Sequence, residues 1–272
     1  GLRGEIVFLG TPAEEAGSGK QFMLDDGLFA GLDAALLFHP GDRDHAGCVL
    51  LASEDVEVTF TGLQAHAASD PWKGRNALDA MVLLFSSIGL WRQQLPREAR
   101  VHGIITEGGT AANIIPDRTV ARFMIRSTDQ AVYERIRERF RAMVAGAATA
   151  TDTDGRAVFS GGSTVMKDNG VLAARFRAHL EAAGRIDQGV DVERIGSSDM
   201  GNVSLVLPTI HPTLAICDEG VPGHSTAFRD AAATPRADET TLLAATLVAQ
   251  TAYDLFTEPG LVEAAWREFR GA

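Results

Sequence analysis

Val56-Glu57-Val58-Thr59-Phe60 alternates apolar and polar residues without a break. A chain with that period sends every second side chain to the same face, so the stretch reads as a strand with one buried and one solvated side. The following residues keep the same texture. Asn76 to Leu95 is expected to be a helix, with Leu78, Met81, Val82, Phe85 and Ile88 on one apolar stripe. Val101–Thr106 and Thr119–Ile125 read as two further strands. Ser127 with Gln130 fits a capping box opening a second helix, whose stripe is Val132, Ile136, Phe140 and Met143. A last short strand near Ala157–Ser160 precedes a Gly-Gly turn. The order β-α-β-β-α-β is that of a ferredoxin-like unit, and roughly 110 residues is an ordinary size for a small domain.

On either side the pattern is different. Ile6–Leu9, Ala34–Phe38 and Cys48–Leu51 read as apolar strands, with a short helix across Lys20–Phe29. Beyond residue 163 come a helix over Val171–Ala183 closed by Gly184, and short strands at Leu205–Leu207 and Leu214–Ile216. Amphipathic helices over Glu239–Phe256 and Leu261–Phe269 end the sequence. Apolar strands alternating with helices point to a parallel, helix-covered sheet. The expected fold is therefore α/β, a helix-covered mixed sheet drawn from residues 1–53 and 164–272, interrupted by an α+β ferredoxin-like domain at 54–163.

Composition narrows the class of function. In 272 residues, 45% are hydrophobic and 22% charged, which is ordinary for a globular protein. The formal charge of −11 would be repelled by nucleic acid and by anionic membranes, so neither is expected as a partner. No basic-then-apolar leader is evident, and no apolar stretch approaches the ~18–20 residues of a membrane span, so a cytoplasmic location is the expectation. Cys48 and Cys217 lie far apart and form no CxxC pair; two reduced, buried thiols are expected.

Three features could carry chemistry. Gly10-Thr-Pro-Ala-Glu14-Glu15 places adjacent carboxylates after a strand, where ligands gather in open α/β sheets. Such carboxylates are often merely solvated, but one could ligate a cation while the other moves a proton. His39 follows Ala34–Phe38 and precedes Pro40, and Gly223-His224-Ser225 lies in a loop before the last helices. Either His could equally be structural or simply exposed. A carboxylate with two imidazoles is nevertheless a donor set that zinc, manganese or nickel favours. Other chemistries fit worse. Gly17-Ser-Gly19-Lys20 lacks the first Gly and the final Ser or Thr of a phosphate loop, and Gly196-Ser-Ser198 has Met200 where a nucleophile elbow needs Gly.

Taken in order, these segments resemble peptidase family M20. Gly10–Glu15, Phe38-His39-Pro40 and His224 resemble its catalytic motifs. Gly62-Leu-Gln-Ala-His66-Ala-Ala, Pro71-Trp-Lys-Gly-Arg-Asn-Ala-Leu and Gly108-Gly-Thr-Ala-Ala-Asn113-Ile-Ile-Pro look like its lid, or dimerisation, domain. Gly196-Ser-Ser-Asp199-Met-Gly-Asn-Val-Ser and Pro208-Thr-Ile-His211-Pro are similar to the amidohydrolase branch, the subgroup of aminoacylase-1-like protein 2 and p-aminobenzoyl-glutamate hydrolase.

The resemblance implies metal-dependent hydrolysis of an amide in an N-acyl amino acid, a dipeptide or an aminobenzoyl-glutamate-like substrate. It implies two divalent ions (Zn, Mn or Ni) and a homodimer formed through the lid. Glu14 would be the general base and acid, Glu15 and His224 ligands of one metal, and His39 a ligand of the other. His66 would reach into the partner's active site and stabilise the oxyanion, Asn113 and Arg126 would hold a substrate carboxylate, and Asp199 and His211 would line the pocket. From its position alone, Arg126 could instead salt-bridge Asp129. The branch also carries a Cys-x-His pair upstream of the Glu-Glu turn, and neither Cys48 nor Cys217 has that context. A shortened chain is therefore expected, with reduced or no activity of its own. The alternative is a non-catalytic dimerising or binding module.

Overall fold

The computed structural model describes residues 2–192 and 194–271. In chain order, helices α1 (Glu14–Gly17) and α2 (Gly19–Asp25) precede strands β1 (Ala35–Leu36) and β2 (His39–Gly41). Next come β3 (Ala52–Thr61), β4 (Ala65–His66), α3 (Ala77–Trp91), β5 (Arg100–Glu107), β6 (Ile114–Ile115), β7 (Arg118–Ser127), α4 (Gln130–Ala150) and β8 (Asp154–Ser163). The remainder is α5 (Gly170–Ala182), α6 (Met200–Ser204), β9 (Thr209–Ile210), β10 (Thr213–Ala215), α7 (Thr226–Ala231), α8 (Pro235–Thr257) and α9 (Leu261–Arg270). The chain forms two compact units. One takes the residues up to Glu14, Ser18–Leu50 and those from Met166 onward; the other takes Leu51–Val165 together with Glu15–Gly17.

The second unit is a four-stranded sheet in the order β5-β7-β3-β8, antiparallel throughout. That is the strand order of a ferredoxin-like unit. Along β3 the inward positions Ala52, Glu54, Val56, Val58 and Phe60 are buried, as the alternation requires. Helices α3 and α4 bury Met81, Leu84, Ile88, Ile136 and Phe140 against Phe60, Phe123 and Ile125. Each such side chain contributes about 1.5–3 kcal/mol on burial. Two details differ from the expectation. Val82 is 52% exposed, because the helix approaches the sheet through the small residues Ala77 and Ala80 and this turns the stripe. Helix α4 is capped by Asp129, whose Oδ1 accepts the Val132 N–H at 2.8 Å, while Ser127 Oγ accepts the Asp129 N–H. The cap thus lies two residues later than a Ser127–Gln130 box would put it.

The first unit is built on two segments lying side by side. β1 pairs parallel with β9, and β2 pairs parallel with β10. Between these ladders stand Leu37–Phe38 on one segment and His211–Pro212 on the other. Pro212 has no N–H to give, but its carbonyl accepts the His39 N–H at 2.8 Å. Leu172, Phe176, Leu180, Ile210, Leu214 and Leu247 form the core beneath α5 and α8. Asn169 Oδ1 caps α5 through the Leu172 N–H, and its Nδ2 donates to the Ala265 carbonyl, tying α5 to α9. Gly184 ends this helical segment with φ 80°.

Three expected strands of this unit are not strands. Ile6–Leu9 has no ladder among the described residues, and Ile6, Val7 and Phe8 are 74%, 45% and 94% exposed. An apolar run becomes a strand only where a neighbour meets its backbone groups. Cys48–Leu51 is irregular, and Leu205–Leu207 is the turn after α6, a helix the apolar pattern did not announce. Cys48 and Cys217 are free and buried, and burial pushes the Cys48 thiol up to about 12. Among the described residues, no helix is long and apolar enough to cross a membrane.

Asp168 carries a measurable cost in this unit. Its Oδ1 is buried without a hydrogen bond, and burial pushes its carboxyl up to about 7, against a bond from the Cys48 N–H. Between about pH 4 and 7 the folded chain keeps a proton that the unfolded chain has lost. Stability therefore falls as the pH rises through that window and levels off above it. The full penalty would be about 4 kcal/mol, and partial exposure of the residue reduces it to roughly 2 kcal/mol. Asp168→Asn is expected to raise stability by that amount at pH 8, with the gain shrinking towards pH 4. Urea unfolding at both pH values checks it, and an equal gain at both would reject the charge as the cause.

Candidate active site

Glu14 and Glu15 open the four-residue helix α1, Glu14 partly buried and Glu15 exposed. Two non-glycine residues in the left-handed region bracket the turn, Ala13 at φ 58° and Ser18 at φ 51°. Such conformations cost about 1–3 kcal/mol each and persist only where their surroundings hold them. At the base, a Cβ on Gly19 would lie 1.9 Å from the Pro12 carbonyl oxygen, so only glycine lets the chain return on itself there.

The parallel pairing of β1–β2 with β9–β10 brings His39 beside His211, ring centroids 5.7 Å apart and edge to face. Each ring has Nδ1 against a backbone carbonyl, His39 on Pro40 O at 2.7 Å and His211 on Leu37 O at 2.8 Å. A carbonyl can only accept, so Nδ1 carries the hydrogen and the lone pair of a neutral ring sits on Nε2. His39 is exposed, and its ring has the orientation by which a carbonyl readies an imidazole for a cation. His211 is buried, and that burial holds it down to about 4. It is thus neutral at pH 7. Lys20 and Asp199 also act on its charge.

The Asp199 carboxylate is fully buried. Both oxygens are used by Lys20: the ammonium donates to Oδ1 at 2.6 Å and the backbone N–H to Oδ2 at 3.0 Å. Asp199 thus forms an internal ion pair with Lys20, and both of its acceptor oxygens are engaged. Lys20 is the partner that sequence reasoning missed. In the sequence it appears only as the end of an imperfect phosphate loop, and no local pattern ties it to a carboxylate 179 positions away. His224 is exposed with φ 56°, and the next residue, Ser225, caps α7 by accepting the Phe228 N–H at 3.1 Å.

In the second unit, β4 pairs with β6, setting His66 opposite Ile114 and next to Asn113. The Asn113 carbonyl accepts the Ala67 N–H at 3.0 Å, and both Asn113 and His66 are exposed. Gly62 makes the approach to this loop possible, since a Cβ there would lie 2.0 Å from the Arg75 carbonyl oxygen. Unlike His39, His66 has an Nδ1 that accepts hydrogens, from the Ala68 N–H at 3.1 Å and the Ser69 N–H at 3.2 Å. The proton of its neutral ring is therefore on Nε2, and His66 offers a hydrogen-bond donor to the outside. Arg126 lies on β7, opposite Ser53 and Arg100, with Nε 3.0 Å from Met124 Sδ. Asp129 is the α4 cap.

The imidazole orientations and the carboxylate-plus-imidazole donors suit a divalent cation in chemical type. Among the described residues no three His, Cys, Asp or Glu side chains stand together as a metal-holding group.

Residues 53–152 match the peptidase dimerisation domain family. Over 98% of its length the chain is 34% identical to the mouse (Mus musculus) Xaa-Arg dipeptidase, of which it spans 62%. It is 36% identical to a p-aminobenzoyl-glutamate hydrolase polypeptide of Escherichia coli, over 56% of this chain and 32% of that one. A dinuclear metal binding peptidase from Bacillus subtilis shares the fold at 16% identity, with a TM-score of 0.62 over 90% of this chain and 64% of that one.

Proposed function

We propose that the chain is a member of peptidase family M20 and serves metal-dependent hydrolysis of an amide bond next to a free carboxylate, as in a dipeptide or an N-acyl amino acid. The domain assignment proposed with it is a catalytic part at 1–53 and 164–272 and a lid at 54–163. One geometric observation carries the chemical part of the proposal: His66 is held by two backbone N–H groups as an outward Nε2–H donor on the strand pair that also sets Asn113.

The proposed roles follow from the chemistry of each group. Glu15, His39 and His224 would hold the divalent ions, with ligands from elsewhere completing the set. When bound, such ions polarise a carbonyl and bring the pKa of water to about 7. Glu14 removes a proton from the attacking water and returns it to the leaving amine, because one carboxylate within hydrogen-bond reach of both can serve each step in turn. As the carbonyl carbon becomes tetrahedral its oxygen gains negative charge. A fixed Nε2–H donor such as His66 stabilises that charge more than it stabilises the planar ground state. Asn113 and Arg126 hold the substrate carboxylate, the planar guanidinium matching it with two parallel bonds. His211 is proposed to line the pocket beside His39.

The lid suits a second copy of this chain. Edge strand β5 carries Ile104 and Ile105, 66% and 42% exposed, and α3 carries the exposed Val82, Leu83 and Leu90. Apolar residues on a sheet edge and its neighbouring helix invite pairing.

The test is a panel of dipeptides, N-acyl amino acids and p-aminobenzoyl-glutamate, assayed with manganese, zinc and nickel on the full-length protein. Saturable, metal-dependent hydrolysis is expected, and none with any metal would reject the reading. Arg126→Ala is expected to raise KM for carboxylate-bearing substrates about tenfold or more, the loss of a charge-assisted pair, with kcat little changed. An unchanged KM would remove Arg126 from carboxylate binding. The second reading is a dimerising module without catalysis, favoured by the match of residues 53–152 to a dimerisation domain. Metal analysis separates them, since about two equivalents per chain belong to the enzyme and none to the module.

A further inference from the structure

We propose that the buried Lys20–Asp199 pair is a positioning latch for the Glu14 turn, a role that rests on the hydrolase reading only in what the turn is for. Both side chains are almost fully buried, Lys20 at 4% exposure and Asp199 at 0%. Removing two charges from water is costly, and apolar side chains of similar volume serve stability as well or better. What an ion pair adds is direction. The two oxygens of one carboxylate take two different donors of the same residue, its ammonium and its backbone N–H. This fixes where Lys20 lies and how its peptide is rotated, at the first turn of α2. The neighbouring residues repeat the link, Asn202 Nδ2 donating to Gln21 Oε1 at 2.7 Å.

The latch closes a strained turn. Ala13 and Ser18 both sit in the left-handed region, and Gly19 rests on the Pro12 carbonyl. Left free, a turn with two such residues relaxes towards ordinary backbone angles. Glu14 lies between the two strained residues, so its carboxylate moves when either end is released. A proton-transferring group displaced by about 1 Å commonly loses on the order of 100-fold in rate. Lys20 and Asp199 are positioning residues that touch no reacting atom; they act through Glu14. The same pair lies close enough to His211 to act on its charge, and His211 packs on His39, so one buried cluster supports both the turn and the His39 strand.

The experiment uses the full-length protein and its Asp199→Asn, Lys20→Met and Lys20→Met/Asp199→Leu variants. Amide hydrogen exchange across residues 13–20 and steady-state hydrolysis with manganese are measured in parallel. In Asp199→Asn we expect exchange in 13–20 to quicken tenfold or more, with the rest of the catalytic part unchanged. In the same variant kcat falls on the order of 100-fold and KM stays within about threefold, the signature of a displaced base. The double variant removes both charges, so it tests the latch even if a single change leaves an unpaired buried charge and prevents folding. It is expected to unfold at a urea concentration near that of the parent and still to show fast exchange in 13–20. Unchanged exchange in either folded variant overturns the latch, as does a raised KM with kcat intact, which would make Asp199 a substrate contact. If the unmodified protein hydrolyses nothing with manganese, the proposed function fails, while the exchange measurement still decides the latch.

Discussion

Replacing Glu14 by Gln is expected to lower kcat of the full-length protein by about a thousandfold or more, with metal content unchanged. The amide keeps the size of the side chain and can still accept a hydrogen bond, but it cannot hold a proton between the attacking water and the leaving amine. Both halves of the reaction lose their carrier, which places the loss towards the upper end of the range for general acid–base catalysis. Metal analysis of the same preparation is the necessary control, because Glu15 is adjacent in sequence and is proposed to hold a cation. Retained turnover in Glu14→Gln would move the base elsewhere. Lost metal would make Glu14 a ligand.

His66→Ala is expected to cost about 100- to 1,000-fold in kcat, the usual consequence of removing one preorganised oxyanion donor. The His66 side chain is exposed and donates no hydrogen bond among the described residues, so the fold should survive its removal. A neutral effect would sink the oxyanion role. Mixing experiments then ask whose active site His66 serves. In a hybrid dimer of Glu14→Gln and His66→Ala subunits, the subunit that keeps Glu14 receives an intact His66 only if the residue acts across the dimer. Statistical mixing of two inactive variants should then restore about a quarter of the original activity. No recovery would place His66 in its own subunit's site.

Legibility in the sequence differed between the two units. In the second unit, β3 and β7 are ten residues long and α4 is 21, so the periods of two and 3.6 repeat often enough to be read. Its errors are small, an exposed Val82 and a cap moved from Ser127 to Asp129, both set by how closely a helix meets the sheet. In the other unit the strands are two or three residues long and pair in parallel across about 170 positions. No period develops over so short a run, and an apolar run such as Ile6–Leu9 looks the same with or without a partner.

The site residues divide along the same line. The order of motifs carries the likeness to the family, and with it the residue types that could bind a cation, move a proton or donate to an oxyanion. Those are chemical properties of the side chains and travel with the chain. Which ring nitrogen of His39 and of His66 carries the hydrogen, that Asp199 is taken up by Lys20, and that His211 lies against His39 are facts of another kind. Each depends on a backbone group or side chain brought close by folding, and hydrogen bonds and burial act over a few ångströms of space regardless of separation along the chain.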